Sequence, residues 1–364
     1  WKENSLKEIE QAMCRKKKKP ENLKILENSK LSINNRRYLG SKYKLIPFIK
    51  EVVKDECGMF SSFADIFAGT GVVAYSFNNT KTKIIVNDIL YSNYLAYLTW
   101  FGNEKFDKKK ISNYIKEFNN IKAKEDNYFS NNFGDSYFTN ENARKIGAIR
   151  EQIELLSVDL TMREKAILIT SLIYALDKVA NTCGHYDAYR KKLDTTNQLK
   201  LQIPDIKDKF NSNNEIYKED ANSLVKRISP DITYIDTPYN SRQYSDTYHL
   251  LENIAEWKKP EVEGVAKKMV NRTKTKSAYC TSKAPLVFDK LISNINSKYI
   301  LVSFNNMATK GVGRSNAKIS DEEIIQSLSK RGKVKVFDTD FQHFTTGKSK
   351  IEDHKERLFL CKCY

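Results

Sequence analysis

The chain reads as an α/β protein built on a parallel, doubly wound sheet that a helical insertion interrupts. Three stretches carry that reading. An apolar strand over 62–67, a glycine turn at Gly69 and Gly71, a helix starting over 72–78 and a second strand over 83–87 follow one another within about 25 residues, the rhythm of a βαβ unit. The alternation then stops between Phe106 and Asn214, where polar residues surround two strong helical patterns. It returns with strands over 231–236, 299–304, 334–338 and 357–361.

Taken in order, residues 1–34 form a polar, helical lead-in. Core-like patterning begins at Arg37-Tyr38-Leu39-Gly40-Ser41-Lys42 and continues into a helix over 45–53, with Pro47 in its first turn. A helix rich in aromatics follows the second strand, over 91–100. In the insertion, a helix over 142–156 places Ile146, Ile149 and Ile153 on one face. The next opens with the capping box Thr161-Met162-Arg163-Glu164 and turns Ile167, Leu168 and Leu172 inward. The expected organisation is a sheet domain of 35–105 plus 215–364, split by a helical insertion over 106–214.

A hydrophobic content of 40% with 11% aromatics supports a packed core and excludes global disorder. Sixty-two Lys and Arg against 45 Asp and Glu give a net charge of +17, which favours a polyanionic partner such as nucleic acid. A lysine-rich surface with no such partner is the other reading of charge alone. Cys14, Cys57, Cys183, Cys280, Cys361 and Cys363 form no paired clusters with metal spacing, so reduced thiols in a cytoplasmic protein are expected and no metal site is. No apolar run approaches the roughly 18 residues of a membrane span. The charged amino terminus, with Arg15 to Lys19, lacks the apolar region of a signal peptide.

Two motifs carry chemistry. Phe67-Ala68-Gly69-Thr70-Gly71 is a glycine loop between strand and helix, where backbone approaches a ligand closely. It is shorter than G-x-G-x-x-G and lacks the Gly-Lys-Ser/Thr of a triphosphate loop, so no phosphate need be cradled, which favours S-adenosylmethionine. Asp88 ends the next strand about 20 residues on, where an acid bonds ribose hydroxyls; its alternative role is a helix N-cap. Far downstream, Ile232-Thr233-Tyr234-Ile235 runs into Asp236-Thr237-Pro238-Tyr239. One carboxylate and one carbonyl before a proline can accept both hydrogens of an exocyclic amino group, while the tyrosine stacks on its base.

With these residues the chain resembles the Dam-type N6-adenine DNA methyltransferases, of the class whose motifs begin with an amino-terminal cofactor segment. Tyr38, Gly40, Ser41 and Lys42 resemble that opening segment, and Phe67 to Gly71 the cofactor loop. Asp88 resembles the ribose-binding acid, Asp220-Ala221 the segment that bonds the cofactor's adenine, and Asp236, Pro238 and Tyr239 the catalytic motif. The order and spacing agree over roughly residues 36–305. Thr237 stands where the family has proline, so the carbonyl before Pro238 belongs to a more flexible residue.

The resemblance implies a Rossmann-like, S-adenosylmethionine-dependent methyltransferase sheet and an inserted helical DNA-recognition domain. It further implies methylation of adenine N6 on a base flipped out of double-stranded DNA, with protection of DNA within a restriction-modification system as the expected role. A monomer in the bacterial cytoplasm, sharing a target site with a cognate restriction endonuclease, goes with that reading. Contacts to DNA are expected from His185, Tyr186, Tyr189 and Arg190, from Arg242, Gln243 and Tyr244, and from Arg272 and Lys274. Each group has a plainer reading: solvated turns for the two loops, and for Tyr244 and Tyr248, four apart, one face of a packed helix. Cytosine-N4 methylation is the runner-up chemistry; RNA methylation and a catalytically silent nucleic-acid-binding module are further alternatives.

Overall fold

The structure is a computed structural model that describes residues 30–194, 197–238, 241–270, 276–305, 317–340 and 355–364. In chain order, helix α1 is Ile46–Cys57, strand β1 Ser62–Asp65, α2 Val72–Phe77, β2 Lys83–Asn87 and α3 Tyr91–Phe101. Helices α4 Lys108–Asn120, α5 Tyr128–Phe133, α6 Asn140–Leu155 and α7 Met162–Val179 follow. Then come β3 Glu215–Tyr217, α8 Ala221–Leu224, β4 Ile232–Ile235, α9 Tyr244–Thr247 and α10 His249–Glu256. A hairpin of β5 Val262–Glu263 and β6 Lys268–Met269 leads to α11 Ala284–Asn294, β7 Tyr299–Asn305, α12 Asp321–Ser329, β8 Gly332–Asp340 and β9 Lys355–Cys363.

One seven-stranded sheet has the order β3-β2-β1-β4-β7-β9-β8, with β9 antiparallel to both of its neighbours. Strand Ile232–Ile235 is buried at every position because helices cover both faces. Alternate residues of β1 show the division: Phe63 joins one core and Ala64 the other. The strand order reverses between β1 and β4, so a crevice opens beyond their carboxyl ends.

The insertion supplies helices, and those helices belong to the same core as one sheet face: Ile167, Leu172 and Leu176 of α7 cluster with Phe63, Ile84 and Tyr234. Two buried arginines fasten it to helices of the sheet domain by satisfying carbonyls that helix ends leave open. Arg163 Nε donates to Leu98 O of α3 at 3.2 Å, and Arg150 Nε donates to Ile254 O of α10 at 2.7 Å. Where the chain returns to the sheet, Asn78 donates to Asn211 Oδ1 at 2.8 Å, and Asn211 donates to Trp100 O at 3.0 Å. Thr161 and Glu164 form the expected capping box at the start of α7.

The lead-in boundary at residue 34 is corrected. Leu31 and Ile33 are buried in the main core, and Leu31 N donates to Ile203 O at 3.0 Å, so the packed structure begins no later than residue 31. Residues 1–29 of the lead-in lie outside the described residues. Among the described residues no helix is long and apolar enough to cross a membrane.

Candidate active site

Strand β1 ends in Asp65, and the chain then turns through the glycine loop into α2. Gly69 and Gly71 both take positive φ, 53° and 78°. At Gly71 a Cβ would lie 3.1 Å from the Phe101 ring and 3.2 Å from Tyr97, so the positive φ favours glycine and the neighbouring rings leave a side chain little room. The loop is held from outside: Tyr97 Oη donates to Gly69 O at 2.8 Å, and Gly69 N donates to Asp88 Oδ2 at 3.0 Å. Asp88 Oδ1 accepts from Leu90 N at 2.8 Å, ahead of α3, whose N-cap is Leu90 rather than Asp88. Burial raises the Asp88 carboxyl while its donors at Leu90, Asn93 and Gly69 pull it back.

Asp65 was missing from the residues singled out by sequence. It is 1% exposed, lines the crevice, and its Oδ1 has no hydrogen-bond partner. Burial, and then the nearby Asp236, push its carboxyl well above the usual carboxylate range. An acid ending the apolar strand that feeds a glycine loop was the available signal.

The amino-terminal segment closes one wall. Tyr38 stacks on Tyr248 with ring centroids 4.4 Å apart and on Tyr244 at 5.5 Å. Leu39 N donates to Tyr248 Oη at 2.6 Å, and Gly40 turns the chain at φ 74°. Lys42 then reaches inward. Its Nζ donates to Asp236 Oδ1 at 2.9 Å and lies 3.5 Å from Glu356 Oε1.

Asp236, Thr237 and Pro238 leave the end of β4 and line the same crevice as Asp65, the glycine loop, Asp88, Asp220 and Ala221. Burial pushes the Asp236 carboxyl up to about 6, against the pull of Lys42 downward. Asp220 N-caps α8, with Oδ1 accepting from Ser223 N at 3.1 Å. Tyr239 lies outside the described residues. The crevice, about 220 Å³, is thus acidic along its length and bounded at one end by a lysine-paired carboxylate. Those carboxylate acceptors are compatible with S-adenosylmethionine: Asp65 Oδ1, without a hydrogen-bond partner among the described residues, could accept from an ammonium, and Asp88 and Asp220 could accept from hydroxyl or amino hydrogens.

The residues expected to meet DNA divide. Tyr186 is a correction: it is buried, and its Oη donates to Asp177 Oδ1 at 2.5 Å, so its ring is an internal strut rather than a contact surface. His185 is half-buried, and burial lowers its pKa against the pull of Asp187. Tyr189 packs edge-on against Tyr137 with centroids 5.1 Å apart, while Arg190 and Arg242 are exposed. Gln243 holds the segment above the crevice, donating to Ser277 O at 3.0 Å and accepting from Ser277 N at 2.7 Å. Tyr244 both opens α9 and lines the crevice, so the packed-helix and stacking-face readings meet in one residue. Arg272 and Lys274 lie outside the described residues.

Comparison with known proteins gives the family. The model of the D12 class N6 adenine-specific DNA methyltransferases matches residues 38–312. The modification methylase StsI of Streptococcus sanguinis is 39% identical over 287 residues, covering 74% of this chain and 44% of that protein. The type II methyltransferase M.NlaIII of Neisseria lactamica is 31% identical over 330 residues, covering 87% of this chain and 95% of that protein. The modification methylase LlaI of Lactococcus lactis subsp. lactis is 32% identical over 346 residues, covering 88% of this chain and 53% of that protein. The chain therefore spans less than half of one relative, about half of another and nearly all of a third. With the matched segment running from the Tyr38 wall through the glycine loop and past Asp236, the chain belongs to the D12 class N6 adenine-specific DNA methyltransferase family.

Proposed function

We propose that the chain transfers a methyl group from S-adenosylmethionine to N6 of adenine in double-stranded DNA, as the modification arm of a restriction-modification system. The observation that carries this is the lysine-paired Asp236, set at the end of β4 in the same crevice as the glycine loop. On this reading the protein works as a monomer in the cytoplasm, and a restriction endonuclease shares its target site.

An adenine in a duplex hides N6 within the stack, so the base is extruded at a cost of a few kcal/mol. Asp236 and the Thr237 carbonyl then accept the two N6 hydrogens, which frees the nitrogen lone pair from ring conjugation and aims it into the crevice. S-adenosylmethionine, when bound, supplies the electrophilic methyl. Asp65 would accept from the ammonium of the donor, Asp88 from its ribose and Asp220 from its adenine. Tyr239 stacks on the extruded base. Because Lys42 takes one oxygen of Asp236, the other is left for the amino group. Fixed acceptors in a dry site supply most of the rate.

The test is transfer of labelled methyl from S-adenosylmethionine to unmethylated genomic DNA, followed by nucleoside analysis. N6-methyladenine is the expected product. Label in N4-methylcytosine would move the chemistry to the other exocyclic amine. No label on DNA, with the donor still bound, would contradict the proposal.

A further inference from the structure

We propose that Glu356, at the start of β9, acts through Lys42 to set how strongly Asp236 accepts a hydrogen bond. It rests on the reading that Asp236 receives the amino group, and makes Glu356 a positioning residue for that step.

The topology brings Glu356 there. Strand β9 runs against β7, in register Asn305↔Glu356, so its first residues arrive at the edge of the sheet where β1 and β4 end. Glu356 is 1% exposed, and Lys42 is 4% exposed. The Lys42 ammonium sits between two carboxylates, 2.9 Å from Asp236 Oδ1 and 3.5 Å from Glu356 Oε1. An isolated buried charge is costly, and so is a buried ion pair whose geometry is incomplete. Two acids against one base leave a net negative group, which is the charge state needed where a carboxylate must attract amino hydrogens.

Sharing is the physical point. A carboxylate that holds an ammonium alone has much of its charge neutralised and accepts a further hydrogen weakly. Glu356 draws part of that ammonium's field toward the protein interior, and its own negative charge raises the basicity of Asp236. The groups facing Asp236 are Lys42 from the segment before α1, Glu356 from β9, Tyr234 from β4 itself and Asp65 from the end of β1. Lys42 opposes protonation of Asp236; Glu356 favours it.

The experiment is a ¹³C-carboxyl titration of Asp236 in the full chain, without methyl donor or DNA, for wild type, Glu356→Gln and Glu356→Asp. The Asp236 resonance is assigned by its loss in Asp236→Asn. In Glu356→Gln the midpoint is expected to fall by about one unit, with single-turnover methyl transfer slower by about tenfold. Binding of S-adenosylmethionine and of duplex DNA is expected to change by less than about twofold. Glu356→Asp keeps the charge and is expected to keep the wild-type midpoint. An unchanged midpoint in a folded Glu356→Gln would overturn the proposal. If Glu356→Gln does not fold, a midpoint displaced in Glu356→Asp would overturn it too, because packing rather than charge would then be at stake. The titration needs no turnover, so a wild type without methyl transfer would fault the functional reading and leave the midpoint to decide this one.

Discussion

Two aspartates bracket β4, and the sheet treats them in opposite ways. Asp231, at the amino end, accepts at Oδ2 from Ser61 N at 2.7 Å and Ser62 N at 3.1 Å, while Lys298 Nζ reaches Oδ1 at 2.7 Å. Burial alone would raise its carboxyl, but Lys298 and the serine donors win and hold it well below the usual carboxylate range. Asp236, at the carboxyl end, has one lysine donor and a face on the crevice, and burial carries it up to about 6. The first carboxylate is satisfied and ties β1 to β4. The second is kept short of donors, and the protein bears the cost of its burial. On the proposed function, the chemistry falls at the end with fewer donors.

The signs differ accordingly. Asp231 has a depressed pKa in the folded chain, so its contribution to stability is present above the ordinary carboxylate range and is lost as pH falls through and below it. Asp236 has a raised pKa, so its burial costs stability increasingly as pH rises from that range to about 6, and the cost stays above it.

After Asp236 itself, the contrast breaks most visibly at Lys42. Replacing it by Met leaves Asp236 beside Glu356 with no counter-charge from this residue; single-turnover methyl transfer at neutral pH is expected to fall by about a hundredfold or more, and its acid limb to move to higher pH. Acidification of the wild type is the next effect in size. Protonation of Asp236 with a midpoint of about 6 should cut transfer about tenfold between pH 7 and pH 5 at saturating donor and DNA. A flat profile there would detach Asp236 from the chemistry. Asp231→Asn sharpens the other half: loss of about 2 kcal/mol of stability by urea unfolding at pH 7, shrinking as pH falls through the carboxylate range, with transfer rates changed less than about twofold. Smallest is Gly71→Ala, expected to cost about 1–2 kcal/mol of stability through its positive φ and the rings it would press on. Weaker binding of S-adenosylmethionine in a calorimetric titration should accompany it.

Much of the scaffold was legible because buried parallel strands and glycine turns write themselves locally. The strand over 83–87 stands as expected. The first strand is shorter than its apolar run, since Ile66 and Phe67 leave the ladder for the loop while still packing inward. Strands β8 and β9 extend beyond the expected 334–338 and 357–361 because Lys and Asp at their ends hide the alternation. Helix α4 went unremarked although Ile111, Ile115 and Phe118 bury one stripe of it. The site's motifs were readable singly, but their electrostatics were not. Lys42 meets Asp236 across 194 residues of chain, and Tyr186 looked like a surface aromatic until its hydroxyl was found on Asp177. Nothing local in Lys355-Glu356-Arg357 marks a buried acid.

The most direct test of the division between the two ends of β4 is single-turnover methyl transfer to unmethylated duplex DNA by Asp236→Asn. Asparagine keeps the shape but reverses one acceptor into a donor, so transfer should drop by about a thousandfold or more. Binding of S-adenosylmethionine and the melting temperature at pH 7 should hold, because the charge removed is one whose burial was a cost. Transfer within about tenfold of wild type would contradict the assignment of Asp236 as the acceptor of the amino hydrogens.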